Sequence, residues 1–238
     1  MTAVRPATFL HTSDVHLEYD DDGPQQQAFA AAVDLAIQRE VDFVLIAGDL
    51  FDHARVGDAI LDWTAAQLDR MGRPVVLLVG NHDALHDKSV HHRFEAGSRC
   101  KEVLFLDDPD GSVVEVPGTD VVVWGRAMIE HEPKYRPVAG TPPRRDGVWN
   151  VVAAHGLALD VEDMYRSSRI SPEDLDGLDC DYVALGHVHG HRVLRTDPLT
   201  CYPGATAHSL GGEPGCVLVD LVPGAGASLT WTPLTSGQ

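Results

Sequence analysis

The sequence is poor in basic charge. Its 18 Lys and Arg residues stand against 36 Asp and Glu, a formal net charge of −18. A surface of that sign repels polyanions and argues against broad, sequence-independent nucleic-acid binding. It leaves room for a phosphate substrate held through bound cations, because metal charges reverse the local sign. Cysteine is sparse too. Cys100, Cys180, Cys201 and Cys216 contain no C-x-x-C spacing, so reduced, mostly buried thiols are expected. The N-terminus has no basic stretch leading into an apolar core and a small-residue cleavage site. No apolar run approaches the ~18 residues that a membrane span needs. The chain therefore reads as soluble and cytoplasmic, with no membrane partner. Internal repeats and long low-complexity stretches are absent as well.

What is present is unevenly spread. Nine of the 18 Lys and Arg residues lie between Lys88 and Arg145, whereas Asp20, Asp21 and Asp22 stand in a row near the start. That triplet reads as a solvated loop. A length of 238 residues suits one domain with a sizeable core, with or without a small appendage.

The first half alternates between two textures. Short Val-, Leu- and Ile-rich runs at Ala7–His11, Phe43–Ala47 and Val75–Val79 are bounded by Gly, Asp or Asn, as buried strands are. Between them, Gln25–Arg39 carries Phe29, Val33, Ala36 and Ile37 at helical spacing. Asp58–Met71 carries Ile60, Leu61, Ala65 and Leu68, followed by Gly72 and Pro74 as stop signals. Such strand–helix–strand units predict parallel neighbours. In the second half, alternating runs recur at Val113–Val116, Asp120–Trp124, Asn150–Ala154, Tyr182–Leu185, His191–Arg195 and Cys216–Val222. They predict a second, more antiparallel sheet. The Pro- and Arg-rich stretch Glu130–Gly147 predicts a long surface loop. The expected fold is α/β, in four layers: two packed, mixed sheets flanked by helices.

Five apolar runs end in metal-capable residues. The first three end in Asp14-Val15-His16, in Gly48-Asp49-Leu50-Phe51-Asp52 and in Gly80-Asn81-His82-Asp83. Two more run into His155-Gly156 and Gly186-His187-Val188-His189. The C-terminal ends of strands are where open α/β sheets hold their ligands. Each fragment alone says little, since a histidine after a strand is commonly structural and Gly-Asn-His-Asp can be a plain turn. Their recurrence in one context points to a single site. Carboxylates, imidazoles and an amide without thiolate suit manganese, iron or zinc better than calcium or a soft metal. Two ions about 3.5–4 Å apart can clamp a phosphate and activate a bridging water for in-line attack. Asp49 is the natural bridging carboxylate, because Gly48 lets its backbone approach closely.

This set resembles the signature of the calcineurin-like metallophosphoesterases over roughly Phe9 to Val222, and the whole of 1–238 is expected to be one such domain. The resemblance implies that Asp14, His16, Asp49 and His189 hold a first metal. Asp49, Asn81, His155 and His187 hold a second. It also implies that His82 protonates the leaving oxygen or stabilises the developing charge there, and that Asp52 orients His82. Cofactors are then two divalent ions, manganese first, with iron, zinc or cobalt as alternatives. A narrower resemblance, carried by His11–Leu17, Ala47–Asp52, Asp181–His189 and Tyr202-Pro203-Gly204-Ala205, is to the nuclease subunit of the bacterial SbcC–SbcD complex. It implies a DNA phosphodiester substrate and an ATPase partner of the SbcC type. His53 stands where the family's protein phosphatases carry Arg, which counts against that activity. Full-length members of the nuclease branch continue past the phosphoesterase domain. This sequence ends at Gln238, so their capping and docking segments are expected to be missing.

The leading expectation is thus a metal-dependent phosphodiesterase of nuclease type. The alternative is a phosphodiesterase or phosphatase acting on nucleotides or other small esters, and a third is a metal-binding scaffold without catalysis. Around the centre, His208, Tyr165, Arg166, Arg169 and His53 are candidate substrate contacts. His86, His91 and His92 read as a solvated helix face rather than a substrate rim, and Trp63 as core.

Overall fold

The computed structural model describes residues 4–18, 22–158 and 168–234. Asp20, Asp21, Tyr165 and Arg166 lie outside them. The first three apolar runs are β1 (Ala7–Thr12), β2 (Phe43–Ala47) and β3 (Val75–Leu78). β2 and β3 are buried along their whole length, which is why they read as continuous apolar runs. The helical patterns are α1 (Pro24–Gln38) and α2 (Asp58–Arg70). Pro24 opens α1, where a missing N–H costs nothing. Phe29, Ala32, Val33 and Ala36 form its buried stripe. Ile37, expected on that stripe, is 42 % exposed, because it lies about 100° further round the helix than Ala36. On α2, Trp63 packs toward Phe29 with ring centroids 6.3 Å apart, the core role expected of it. Gly72 (φ +61) turns the chain out of α2.

The one-turn helices α3 (His91–Phe94) and α4 (Ala96–Arg99) lead into β4 (Val103–Leu106). Next come β5 (Ser112–Glu115), β6 (Val121–Gly125) and β7 (Trp149–His155). β8 (Leu157–Ala158) and β9 (Arg169–Ile170) pair as a small ribbon beside α5 (Pro172–Asp176). β10 (Tyr182–Gly186), β11 (Arg192–Thr196), β12 (Leu199–Tyr202), β13 (Gly215–Val222) and β14 (Gly226–Pro233) complete the strands.

Two six-stranded sheets result, in the orders β14-β13-β1-β2-β3-β4 and β11-β12-β10-β7-β6-β5. The second is not the more antiparallel one. Each sheet has three parallel and two antiparallel junctions. Parallel neighbours need a connection of about a dozen residues or more. The long loop between β6 and β7, and the segment between β7 and β10, supply them. β13, expected in the second sheet, instead pairs antiparallel with β1 in the first.

The layers follow from three buried clusters. One lies between the first sheet and α1 and α2. A second lies between the sheets, where Phe9 stacks on Phe43 at 4.6 Å and meets the edge of Tyr182 at 5.6 Å. Burying each such ring contributes about 2–3 kcal/mol. The third covers the outer face of the second sheet with Leu175 of α5 and Val138 of the long loop. The fourth layer is therefore a short helix and loop segments rather than a helical layer, among the described residues. No helix among them is long and apolar enough to cross a membrane. Cys100, Cys201 and Cys216 are buried free thiols and Cys180 is half-buried.

Candidate metal centre

The C-terminal ends of β1, β2 and β3 meet those of β7 and β10 at one edge of the sandwich. The approach is too tight for side chains. A Cβ at Gly186 would collide with the Ala47 carbonyl oxygen, and one at Gly48 (φ +95) with the His155 ring. Asp14, His16, Asp49 and His187 all have positive φ (53°, 53°, 53° and 100°). That region is uncommon outside glycine and most tolerable for Asp, Asn and His. Backbone strain of this kind persists where the surroundings over-determine it. Here Asp14 N–H donates to the Gly48 carbonyl at 3.1 Å, and Val15 and His16 N–H donate to Asp49 O at 2.9 and 3.0 Å. The loops after β1 and β2 are thus one hydrogen-bonded unit.

All seven predicted ligands come together, in two adjoining groups. In the first, Asp14 is fully buried and its carboxylate accepts from the Ser13 hydroxyl and from His187 N–H at 3.0 and 3.1 Å. His189 Nε2 lies 3.7 Å from Asp14 Oδ1, and His16 Nε2 lies 3.8 Å from Asp49 Oδ2. In the second, His155 Nε2 is 3.2 Å from the same Asp49 Oδ2 and 3.1 Å from Asn81 Oδ1. His187 Nδ1 is 2.8 Å from that Asn81 oxygen. Asp49 Oδ2 therefore faces both groups.

The far nitrogens are fixed by acceptors. Nδ1 of His16 meets Asp52 Oδ1 at 2.8 Å, Nδ1 of His155 the Ala47 carbonyl at 2.9 Å, and Nδ1 of His189 the Leu210 carbonyl at 2.7 Å. Each contact turns Nε2 toward the carboxylates, as supporting shells of metal-binding imidazoles do. The donor set fits divalent metal, and one atom argues for it directly. His16 Nε2 is buried without a hydrogen-bond partner, since 3.8 Å to a carboxylate is too long for one.

Charge coupling differs within the centre. Burial works against a charged His155, but Asp49 outweighs it and raises the pKa to about 9. For Asp49 itself burial is again the opposing effect, and His155 and His16 hold its pKa well below the carboxylate range. Burial and neighbouring His155 push His187 down to about 4, against the pull of Asp49.

His82 stands at the rim with its side chain 43 % exposed. Its N–H donates to Asp49 Oδ1 at 2.9 Å, and its Nδ1 to the Asp52 carbonyl at 2.9 Å. Asp52 Oδ1 lies 3.2 Å from His82 Nδ1 and 2.8 Å from His16 Nδ1. Asp52 thus touches the predicted acid and a predicted ligand together, where the sequence suggested only the first. Asp83 is a buried latch. Its carboxylate accepts from Gly80 N–H (2.7 Å), Leu50 N–H (3.0 Å) and Phe51 N–H (3.3 Å), and lies 3.1 Å from His91 Nε2. His91 is therefore not on a solvated face. It is 4 % exposed, because a carboxylate buried under the loops needs a partner. His92 is exposed, whereas His86 is half-buried and outside any helix, its Nδ1 accepting from Lys88 N–H at 3.0 Å.

Of the other candidates, His53 sits beside Glu18 at 3.6 Å, next to Asp52. Arg169 is half-buried in β9. His208 is exposed, and its turn supplies the Leu210 carbonyl to His189 instead. The sequence reading missed His131, from the long loop, whose ring lies edge-on to His187 with centroids 6.1 Å apart. Burial and His155 lower its pKa while Asp49 opposes them. No local motif marks it, and the length of its loop is the one signal.

The model of the calcineurin-like phosphoesterase family matches residues 7–191. The chain is 27% identical over 225 residues to the uncharacterized metallophosphoesterase YhaO of Bacillus subtilis, covering 84% of this chain and 53% of that protein. It is 27% identical over 209 residues to the DNA double-strand break repair protein Mre11 of Thermoplasma acidophilum, covering 83% and 55%. The chain thus spans about half the length of the curated relatives it matches. A similar fold occurs in TT1561 of Thermus thermophilus, with a TM-score of 0.62 at 12% identity, covering 97% of this chain and 100% of that one.

Proposed function

Because the chain belongs to the calcineurin-like phosphoesterase family, we propose that it is a two-metal phosphodiesterase of the kind related to DNA-repair nucleases. The observation that carries this reading is Asp49 Oδ2, set between His16 Nε2 at 3.8 Å and His155 Nε2 at 3.2 Å. Asp14, His16, Asp49 and His189 would hold the first ion, and Asp49, Asn81, His155 and His187 the second. Manganese is the proposed metal, with iron, zinc or cobalt as alternatives. When bound, the ions supply a positive clamp on the phosphate and an activated water in line with the leaving group.

The chain's own part lies with His82 and Asp52. The Asp52 carbonyl fixes His82 Nδ1 at 2.9 Å, which frees Nε2 to face the ester. As the ester bond breaks, His82 gives its proton to the departing oxygen, while the attacking water leaves its oxygen and one hydrogen on phosphorus and loses its other proton to solvent. Manganese-loaded protein is expected to hydrolyse bis(p-nitrophenyl) phosphate. His82→Ala should lower kcat by about 10²–10⁴-fold while leaving manganese content unchanged. Equal turnover in the variant would remove His82 from this role.

The similarity to the DNA double-strand break repair protein Mre11 favours DNA as substrate, whereas an ATPase partner of the SbcC type rests on the motif resemblance alone. The net charge of −18 favours a nucleotide or other small phosphate ester. Labelled single-stranded DNA tested beside a panel of nucleotides separates the two. Hydrolysis confined to nucleotides defeats the nuclease reading.

A further inference from the structure

The long loop brings to the centre a histidine that none of the five motifs contains. His131 is exposed, yet its ring stands 6.1 Å from that of His187 at an interplanar angle of 65°. Its position is built rather than incidental. Ala127 and Met128 are buried against Val79 and Ala84, the residues that bracket Gly80–Asp83. Leu85 N–H donates to the Met128 carbonyl at 2.8 Å. Beyond His131, the Tyr135 hydroxyl donates to the Arg126 carbonyl at 2.7 Å. The Arg126 guanidinium covers the Tyr135 ring at 5.6 Å and donates to the Pro109 carbonyl at 2.6 Å. The chain is therefore anchored on both sides of His131, and the anchor before it also supports the loop of Asn81 and His82.

A ligand role does not suit His131. Both four-residue sets are complete without it. An imidazole fixed beside a ligand set but outside it meets what the ions hold. His82 packs on His16, ring centroids 4.5 Å apart, whereas His131 packs on His187, so the two serve different sides of the centre.

We propose that His131 is a substrate-contacting residue that donates an imidazole N–H to a non-bridging oxygen of the bound phosphate on the His187 side. The inference rests on the phosphoesterase reading and deepens it. Its ligand class is any phosphate ester, together with the inorganic phosphate that a monoester leaves behind. Bond-making and bond-breaking stay with the ions and His82, so His131 acts mainly on binding.

The test compares manganese-loaded wild type, His131→Ala and His131→Gln by calorimetric titration with inorganic phosphate, by steady-state hydrolysis of bis(p-nitrophenyl) phosphate and by manganese analysis. Loss of a hydrogen bond to a charged oxygen is expected to weaken phosphate binding and raise KM by about tenfold or more. The change in kcat should be smaller and manganese content equal. Glutamine, which keeps an N–H donor, should recover most of the phosphate affinity. Unchanged phosphate affinity and KM in His131→Ala overturn the proposal. So does a fall in manganese content, which would make His131 a support for His187. Wild-type protein that binds phosphate but hydrolyses no ester would instead overturn the phosphoesterase reading, and the role of His131 with it.

Discussion

The two halves of the centre share Asp49 but are held open differently. Around the first position, contacts are long: 3.8 Å from His16 to Asp49 and 3.7 Å from His189 to Asp14. His16 Nε2 is left without a partner. Around the second they are short: 3.2 Å from His155 to Asp49, 3.1 Å from His155 to Asn81 and 2.8 Å from His187 to Asn81. The first half is a prepared gap, with an orphaned nitrogen that only an added group can satisfy. The second half is closed by protons, and an ion entering it must displace one. Metal entry at the two positions should therefore depend differently on support and on pH.

Asp52→Asn should act on the first half, because that carboxylate touches both His16 and His82. Loss of such support typically costs about 10–100-fold in metal affinity or activity. The loss of metal should fall on the first position alone. Calorimetric manganese titration of the variant should show one weakened site beside one near-normal site. Equal weakening of both would break the asymmetry.

An effect of opposite location is expected from pH. The pKa of His155 is raised from 6.5 to about 9, with burial opposing and Asp49 prevailing. In the metal-free protein its ion pair stabilises fully below about pH 6.5, and that stability is lost as pH rises through about 9. On the two-metal reading, an ion at the second position would have to expel this proton. Affinity there should rise about tenfold per pH unit across that window and level off above it, while the melting temperature of metal-free protein falls. Proton release measured in buffers of different ionisation enthalpy checks the sign. Affinity that does not vary with pH would remove the distinction between the halves.

Much of the centre was legible because metal sites at strand ends leave their residues in short motifs. Asp14-Val15-His16, Asp49 to Asp52 and Asn81-His82 each sit on one loop after one parallel strand, so spacing alone implied convergence. The parts that were not legible depend on long-range packing. His91 lies in a stretch that resembles a polar helix, and only the buried Asp83 explains why it is inside. β13 has an alternating pattern that suits either sheet, and only its pairing with β1 decides. His131 depends on Ala127 and Met128 packing under the third motif, which no local spacing encodes. β4, β12 and β14 carried too little pattern to stand out between turns.

On the two-metal reading, both positions must be filled for catalysis. This is tested most directly by adding manganese stepwise to metal-free protein and following hydrolysis of bis(p-nitrophenyl) phosphate against the ions bound per chain. Two bound ions are expected, with turnover appearing as the second site fills. Turnover that reaches its plateau at one ion per chain, or none at all with two bound, would contradict it.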